Sequence, residues 1–127
     1  MTTITCQPIG IIRTAFTSRE NTPRGVAAQN ACGVIQMDPQ YREAMADMHP
    51  GERYLVLFHF DRAKGFAQTV PIHGDGPMTG LFSTRAPNRP NPIGLTAITV
   101  ESITDTQITF RGADMMDGTP VLDIKPI

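Results

Sequence analysis

Short apolar segments separated by turn residues run along most of the chain. The clearest is residues 53–60 (RYLVLFHF), a nearly continuous apolar run that predicts a strand buried on both faces. Residues 95–103 alternate apolar and polar side chains, with Ile98 and Val100 on one face, and predict a second long strand. Asp105-Thr106 and Asp117-Gly118 are typical of turns. Further short strands are predicted over residues 4–13, 34–37, 79–84, 108–113 and 121–124.

One segment has helical spacing. Asp38-Pro39 is a typical helix start, Tyr41, Met45 and Met48 then form one apolar face, and Pro50-Gly51 ends the pattern. Residues 17–30 have no period and several helix breakers, and predict a loop. Six or seven short strands with one short helix favour a mainly β fold, a closed or nearly closed β-barrel, with residues 1–127 as a single domain.

Composition narrows the picture. With 127 residues the chain suits one hydrophobic core, and 11 glycines and 11 prolines argue against a long helical bundle. The net charge is −1, so any binding to nucleic acid needs a local basic patch. No stretch reaches the ~18 apolar residues of a membrane span, and we expect no signal peptide and a cytoplasmic protein. Cys6 and Cys32 are predicted to be buried thiols in a reducing compartment.

Residues suited to ligand binding or catalysis are concentrated in three stretches. Residues 80–94 (GLFSTRAPNRPNPIG) carry Arg85 and Arg89 on a proline-stiffened loop, which suits either recognition of a carboxylate or phosphate or a tight crossover with solvated arginines. Residues 112–125 carry Asp114 and Asp117, whose carboxylates either accept hydrogen bonds from a ligand or form an ordinary turn.

The third stretch is the exit of the central strand. His59 lies between aromatic residues and is more typical of a satisfied core histidine than of a base. Asp61 and Arg62 follow the strand and are better placed for the rim of a pocket. The three histidines are isolated, no Cys/His cluster has zinc spacing, and no metal site is expected. The residues alone predict a small barrel with an Arg/Asp-rich mouth, and they define no reaction.

Two long motifs, GLFSTRAPNRPNPIG and the later DGTPVLDIKP, resemble the TsaA/YaeB-like (TrmO) family. The likeness covers essentially the whole chain, which resembles a divergent short member of the family. The resemblance implies a compact β-barrel that forms a homodimer and binds S-adenosyl-L-methionine near the dimer cleft. It also implies methyl transfer to N6 of the threonylcarbamoyl-modified adenosine 37 of tRNA.

The resemblance also implies site residues. Those matching cofactor-binding positions are Gln29, Asp61, Arg62, Arg85, Leu95, Asp114, Met115, Met116 and Asp117. Arg89 and Asn91 match the Arg-Pro-Asn core and are expected to contact the substrate or anchor the loop. Arg53, with Arg62, Lys64 and Arg89, is a candidate phosphate contact for RNA. The catalytic base is not defined, and Asp61 and Asp114 are the candidates, either as proton acceptors or as groups that favour a cationic sulfonium.

Three positions depart from the family pattern. Ala27-Ala28-Gln29 stands where the family typically has Pro-Arg-Gln, Asp61 replaces a histidine, and Glu52-Arg53 replaces a Ser-His pair. Each change removes a group suited to holding RNA or a modified base. Two other functions therefore stay open: a methyltransferase of the same fold with a different substrate, and a cofactor-binding module without catalysis.

Overall fold

A computed structural model describes residues 2–127 and shows a closed barrel of six antiparallel strands. The barrel order is β1-β2-β7-β6-β3-β8, and β4 and β5 form a separate two-stranded sheet. The strands are β1 (Gly10–Arg13), β2 (Cys32–Met37), β3 (Arg53–His59), β4 (Thr69–Pro71), β5 (Met78–Gly80), β6 (Ile93–Thr104), β7 (Gln107–Arg111) and β8 (Pro120–Pro126). The predicted mainly β barrel is confirmed.

The barrel interior is the core. Inward-facing residues alternate with outward-facing ones along the strands, as in Ile98 and Val100 of β6, both about 1% exposed. Phe58 and Phe60 pack edge to face with ring centroids 5.1 Å apart. Further fully buried side chains on the strands include Ile12, Ile35, Val56, Ile108, Phe110 and Val121.

All three candidate stretches reach the same end of the barrel, which we call the loop end. The antiparallel registers bring together the ends of the strands at Arg13, Cys32, His59, Ile93, Arg111 and Pro120. The loops that leave from these residues are 14–31, 60–92 and 112–119. The opposite end carries the 38–52 connection and the two-residue 105–106 turn.

The predicted helix after Asp38 is replaced by two 3₁₀ turns, Pro39–Tyr41 and Glu43–Met45. Asp38 does cap the first turn by accepting a hydrogen bond from Gln40 N at 3.1 Å. The segment is too short to favour an isolated α-helix, and 3₁₀ turns cover more distance per residue. Met45 is buried while Tyr41 and Met48 pack against the core, so the apolar spacing was informative and the helix type was wrong.

Other boundaries also shift. The first strand covers only Gly10–Arg13 rather than residues 4–13, since Pro8 has no N–H to pair and Ile4 is exposed. The loop over residues 17–30 ends in a 3₁₀ turn, Gly25–Asn30, and the strand at 79–84 becomes β5 followed by the 3₁₀ turn Leu81–Ser83.

The prediction of buried thiols is wrong. Cys6 and Cys32 are both free and exposed. Cys6 lies before β1 and outside any strand, and Cys32 occupies an outward-facing position at the start of β2.

Candidate functional site at the loop end of the barrel

The centre of the site is the carboxylate of Asp114, held by β6. Thr96 Oγ1 lies 2.8 Å from Asp114 Oδ1 and 3.0 Å from Oδ2. Burial raises the pKa of Asp114, whereas the hydrogen bond from Thr96 and the positive charge of Arg85 oppose that rise. Asp114 is therefore a carboxylate whose charged form is partly disfavoured, which is typical of groups that take up protons or bind cations.

Arg85 lies across the mouth of the site. Its Nη1 donates to Leu95 O at 3.3 Å, and its charge acts on Asp114. A guanidinium has five N–H donors, so most of them stay available for a ligand carboxylate or phosphate. The Leu95 side chain is 42% exposed and faces outward, on the opposite face of β6 from the Thr96 side chain. The structure therefore brings together three of the predicted cofactor-binding residues.

Asp117 has a structural role. Its Oδ1 accepts from Thr14 N at 3.1 Å, and its Oδ2 lies 3.8 Å from Arg13 Nη1. Asp117 N also donates to Phe16 O at 2.7 Å. The carboxylate thus joins the 112–119 loop to the end of β1, as the turn interpretation favoured.

The two methionines between the aspartates differ. Met115 is 2% exposed and its side chain belongs to the core, while its carbonyl accepts from Thr14 Oγ1 at 3.0 Å. The structure therefore assigns the Met115 side chain to packing rather than to cofactor contact. Met116 is half-buried, and its Sδ accepts from Arg62 Nη1 at 2.9 Å.

Arg62 connects two loops. It also donates through Nη2 to Asp117 O at 3.0 Å, so its guanidinium holds the 60–65 segment onto the 112–119 loop. Lys64 N donates to Asn88 Oδ1 at 3.1 Å and joins the same segment to the 84–92 loop. Asp61 is exposed, and its side chain makes no hydrogen bond to the residues described. The structure thus places Arg62 beside the site, while the Asp61 side chain is exposed.

Arg89 binds its own loop. Its Nη1 donates to Thr84 O at 3.0 Å and to Ala86 O at 2.9 Å, the two carbonyls that flank Arg85. The side chain is half-buried, and both bonds come from the same nitrogen. Of the two expectations for Arg89, the structure supports the loop anchor rather than the substrate contact. Asn91 is exposed at the end of the same loop, where its carbonyl accepts from Ile93 N at 2.7 Å.

Two predicted residues lie away from this centre. Arg53 begins β3 on its outward face, and the register places Val56 rather than Arg53 opposite Thr96, about 10 Å further along the strand. The structure does not bring Arg53 to the site. Gln29 is exposed in the 3₁₀ turn before Ala31, whose carbonyl accepts from Gly112 N at 2.9 Å and Ala113 N at 3.0 Å. Gln29 is therefore attached to the backbone that leads into Asp114.

Sequence reasoning missed Thr96. It lies on the buried face of β6, where a polar residue interrupts the row that continues with Ile98 and Val100. Within residues 2–127, no group of three or more His, Cys, Asp or Glu side chains is placed to hold a metal ion. Over the same residues, no helix is both long and apolar enough to cross a membrane.

The sequence and the closed barrel both match a class of proteins defined by one domain family. Residues 11–127 match the family "tRNA-methyltransferase O N-terminal domain". A probable S-adenosyl-L-methionine-binding protein of Pyrococcus abyssi is 35% identical over 94% of this chain and 66% of its own length. An S-adenosyl-L-methionine-binding protein of Archaeoglobus fulgidus is 30% identical, over 94% of this chain and 86% of its own length.

A solved structure and a further relative support the same family assignment. A crystal structure of TrmO superposes with a TM-score of 0.83 at 33% identity, over 99% of this chain and 58% of the other. The tRNA (adenine(37)-N6)-methyltransferase of Mus musculus is 35% identical over 94% of this chain and only 30% of its own length. The chain belongs to the tRNA-methyltransferase O N-terminal domain family, and it spans about two thirds or less of several relatives that it matches.

Proposed function

We propose that this protein is an S-adenosyl-L-methionine-dependent methyltransferase that modifies N6 of adenosine 37 in tRNA, with the threonylcarbamoyl-modified base as the acceptor. The observation that carries the proposal is the placement of Arg85, bonded to the Leu95 carbonyl, close enough to Asp114 for its charge to act on that carboxylate, at the loop end of a TrmO-like barrel. The names of the relatives supply the reaction class.

The residues present fit the cofactor. S-adenosylmethionine supplies a methyl group on a cationic sulfonium, and its transfer to an amine leaves neutral S-adenosylhomocysteine and one proton to be accepted. Arg85 offers free N–H donors for the carboxylate of the methionine end. The partly buried Asp114 offers a negative charge that is held in place for a sulfonium or for an amine that loses a proton.

Methyl transfer needs alignment of the reacting atoms and exclusion of water more than it needs a strong base. Arg89 fixes the loop carbonyls on both sides of Arg85, and Arg62 holds the 60–65 segment against the 112–119 loop. These internal hydrogen bonds preorganise the loop end. Asp114 is favoured over Asp61 as the proton acceptor because only Asp114 is oriented by neighbouring groups.

We also propose that a second copy of the chain completes the site. The outer face of β3 and β6 carries neighbouring apolar residues, with Leu57 opposite Leu95 and Leu55 opposite Ala97 in the register. Covering them would place a wall beside the mouth of the site and remove apolar surface from water. Light scattering at micromolar concentration is expected to give the mass of a dimer, and a monomer would contradict the shared site.

The reaction is tested with radiolabelled S-adenosylmethionine and tRNA from a strain that lacks N6-methylation of adenosine 37. We expect label in that nucleoside, and we expect no label in tRNA from the same strain when it also lacks the threonylcarbamoyl group. Label in a non-tRNA fraction would instead support a different substrate. Cofactor binding without any transfer would support a non-catalytic module and contradict the proposal.

Binding of tRNA can also be tested through its dependence on salt concentration. Phosphate contacts from basic residues make binding weaken as salt rises, because bound counterions are released. Lys64 and the free donors of Arg85 are among the basic groups that the structure places at or next to the loop end. We expect tRNA affinity to fall steeply between about 50 and 200 mM salt.

A further inference from the structure

Thr96 is an unusual residue in the wall of the barrel. It occupies an inward-facing position of β6 and is 9% exposed, and the inward positions that follow it are the core residues Ile98 and Val100. A hydroxyl in such a place destabilises the fold unless it is hydrogen-bonded. Its partner is Asp114, and that contact crosses 18 residues of sequence.

The chemistry of this contact suits a carboxyl group that changes its protonation state. A threonine hydroxyl has one proton to donate and lone pairs that accept. It can donate to an ionised carboxylate, and it can accept from the same group once that group is protonated. Thr96 Oγ1 lies within hydrogen-bond distance of both Asp114 oxygens, at 2.8 and 3.0 Å, so either oxygen can take part.

The backbone is built to bring the two groups together. Gly112 has φ +102°, a conformation that favours glycine, and a Cβ there would lie 3.0 Å from Ala97 O. This close approach sets the 112–119 loop directly against β6. Leu95, the residue before Thr96, accepts a hydrogen bond through its carbonyl from Arg85, the other charged group of the site. Two consecutive residues of one strand therefore fix both Arg85 and Asp114.

We propose that Thr96 is a positioning residue of this site: its hydroxyl fixes the Asp114 carboxyl group toward the mouth and stays bonded to it in both protonation states. This inference rests on the proposed function, in which Asp114 faces the cofactor and the acceptor amine. It adds a residue that touches neither ligand and acts through Asp114.

The surrounding charges are consistent with this role. Arg85, from the 84–92 loop, lowers the pKa of Asp114, while burial raises it. Arg62 is engaged with Met116 and the Asp117 carbonyl, and the Asp117 carboxylate is engaged with Thr14 and Arg13. The Thr96 hydroxyl is the group from β6 that stabilises the charged form of Asp114.

The test compares Thr96→Val, which keeps the shape and removes the hydroxyl, with Thr96→Ser, which keeps the hydroxyl. The carboxyl carbon of Asp114 is followed by ¹³C NMR as pH changes, and Asp114→Asn identifies its signal. We expect Thr96→Val to raise the pKa of Asp114 by about half to one pH unit, since the hydrogen bond donated to the charged form is stronger than the one accepted from the neutral form and both are lost. Thr96→Ser should titrate like the wild type. Thr96→Ala serves in the same comparison if the valine variant does not fold.

The second readout is the pH profile of methyl transfer. The acidic limb of kcat/KM should move to higher pH in Thr96→Val by the same amount, and Thr96→Ser should restore it. A residue with only a structural role would lower the melting temperature and leave the limb in place. An unmoved titration, or a moved titration with an unmoved limb, would overturn the inference.

Failure of the proposed function gives a different result. If the wild-type protein transfers no methyl group to any tRNA, the proposed function fails and the NMR titration alone decides the role of Thr96. A pKa of Asp114 that Thr96→Val leaves unchanged then overturns that role, and a pKa that rises supports it.

Discussion

Replacing Arg89 by alanine should damage the cofactor site without touching the cofactor. The guanidinium donates to the carbonyls of Thr84 and Ala86, and Arg85 lies between them in the chain. Without these bonds the loop keeps its prolines but loses the clamp that sets the direction of Arg85. We therefore expect weaker binding of S-adenosylmethionine, together with a lower melting temperature.

The magnitude follows from the two hydrogen bonds. A hydrogen bond from a charged donor contributes about 1.5–3 kcal/mol when it is desolvated. Arg89 is half-buried and both bonds share one nitrogen, so we expect a total loss of about 1–2 kcal/mol in the free energy of unfolding. For a domain of this size that corresponds to a fall of roughly 3–8 °C in melting temperature. A misdirected Arg85 should weaken cofactor binding about tenfold, which equals about 1.4 kcal/mol.

The assay pairs calorimetric titration of S-adenosylmethionine with thermal unfolding, and Arg53→Ala is the control for both measurements. Arg53 is an exposed arginine at the opposite end of β3, so its removal should change neither. Arg89→Lys should rescue little, because an ammonium does not reproduce the planar guanidinium. Unchanged stability and cofactor affinity, with weaker tRNA binding and a smaller salt dependence, would show that Arg89 contacts phosphate and would refute the anchor.

Three further predictions follow from the same contacts. Arg85→Ala should weaken S-adenosylmethionine binding more than Arg53→Ala does, and equal, negligible effects by calorimetry would remove Arg85 from the site. Asp114→Asn should raise the melting temperature at neutral pH, because it removes a carboxylate whose charged form is destabilised by burial. That gain should shrink as pH falls through the raised pKa of Asp114, and a gain that does not depend on pH would contradict this origin. Gly94→Ala should lower the free energy of unfolding by about 1–3 kcal/mol in denaturant titration, since its Cβ would lie within van der Waals overlap of the Phe58 ring, and an unchanged midpoint would contradict that packing.

The barrel could be predicted because its signals are local. Apolar alternation in residues 95–103 and the apolar run at 53–60 mark strands whatever their neighbours are, and turn dipeptides such as Asp105-Thr106 separate them. The helix after Asp38 was misjudged because the same apolar spacing suits two 3₁₀ turns. The type of turn depends on the distance to be covered across the barrel end, which is a tertiary property.

From the sequence one could predict which stretches of the chain form the site, but not which residues in each stretch face a ligand. Arg85 and Arg89 are four residues apart in one loop, and nothing in the sequence separates the arginine that faces the mouth from the one that binds the loop carbonyls. Asp114 and Asp117 likewise look equivalent until the contacts with Thr96 and Thr14 distinguish them. Long-range side-chain partners decided each role.

Calorimetric titration of S-adenosylmethionine into the wild-type protein and Arg85→Ala tests the central claim most directly. The account predicts saturable binding to the wild type, one molecule for each copy of the chain, and at least tenfold weaker binding to the variant. No heat of binding to the folded wild-type protein at millimolar cofactor, or equal affinity of the two proteins, would contradict a cofactor site built on Arg85 and Asp114.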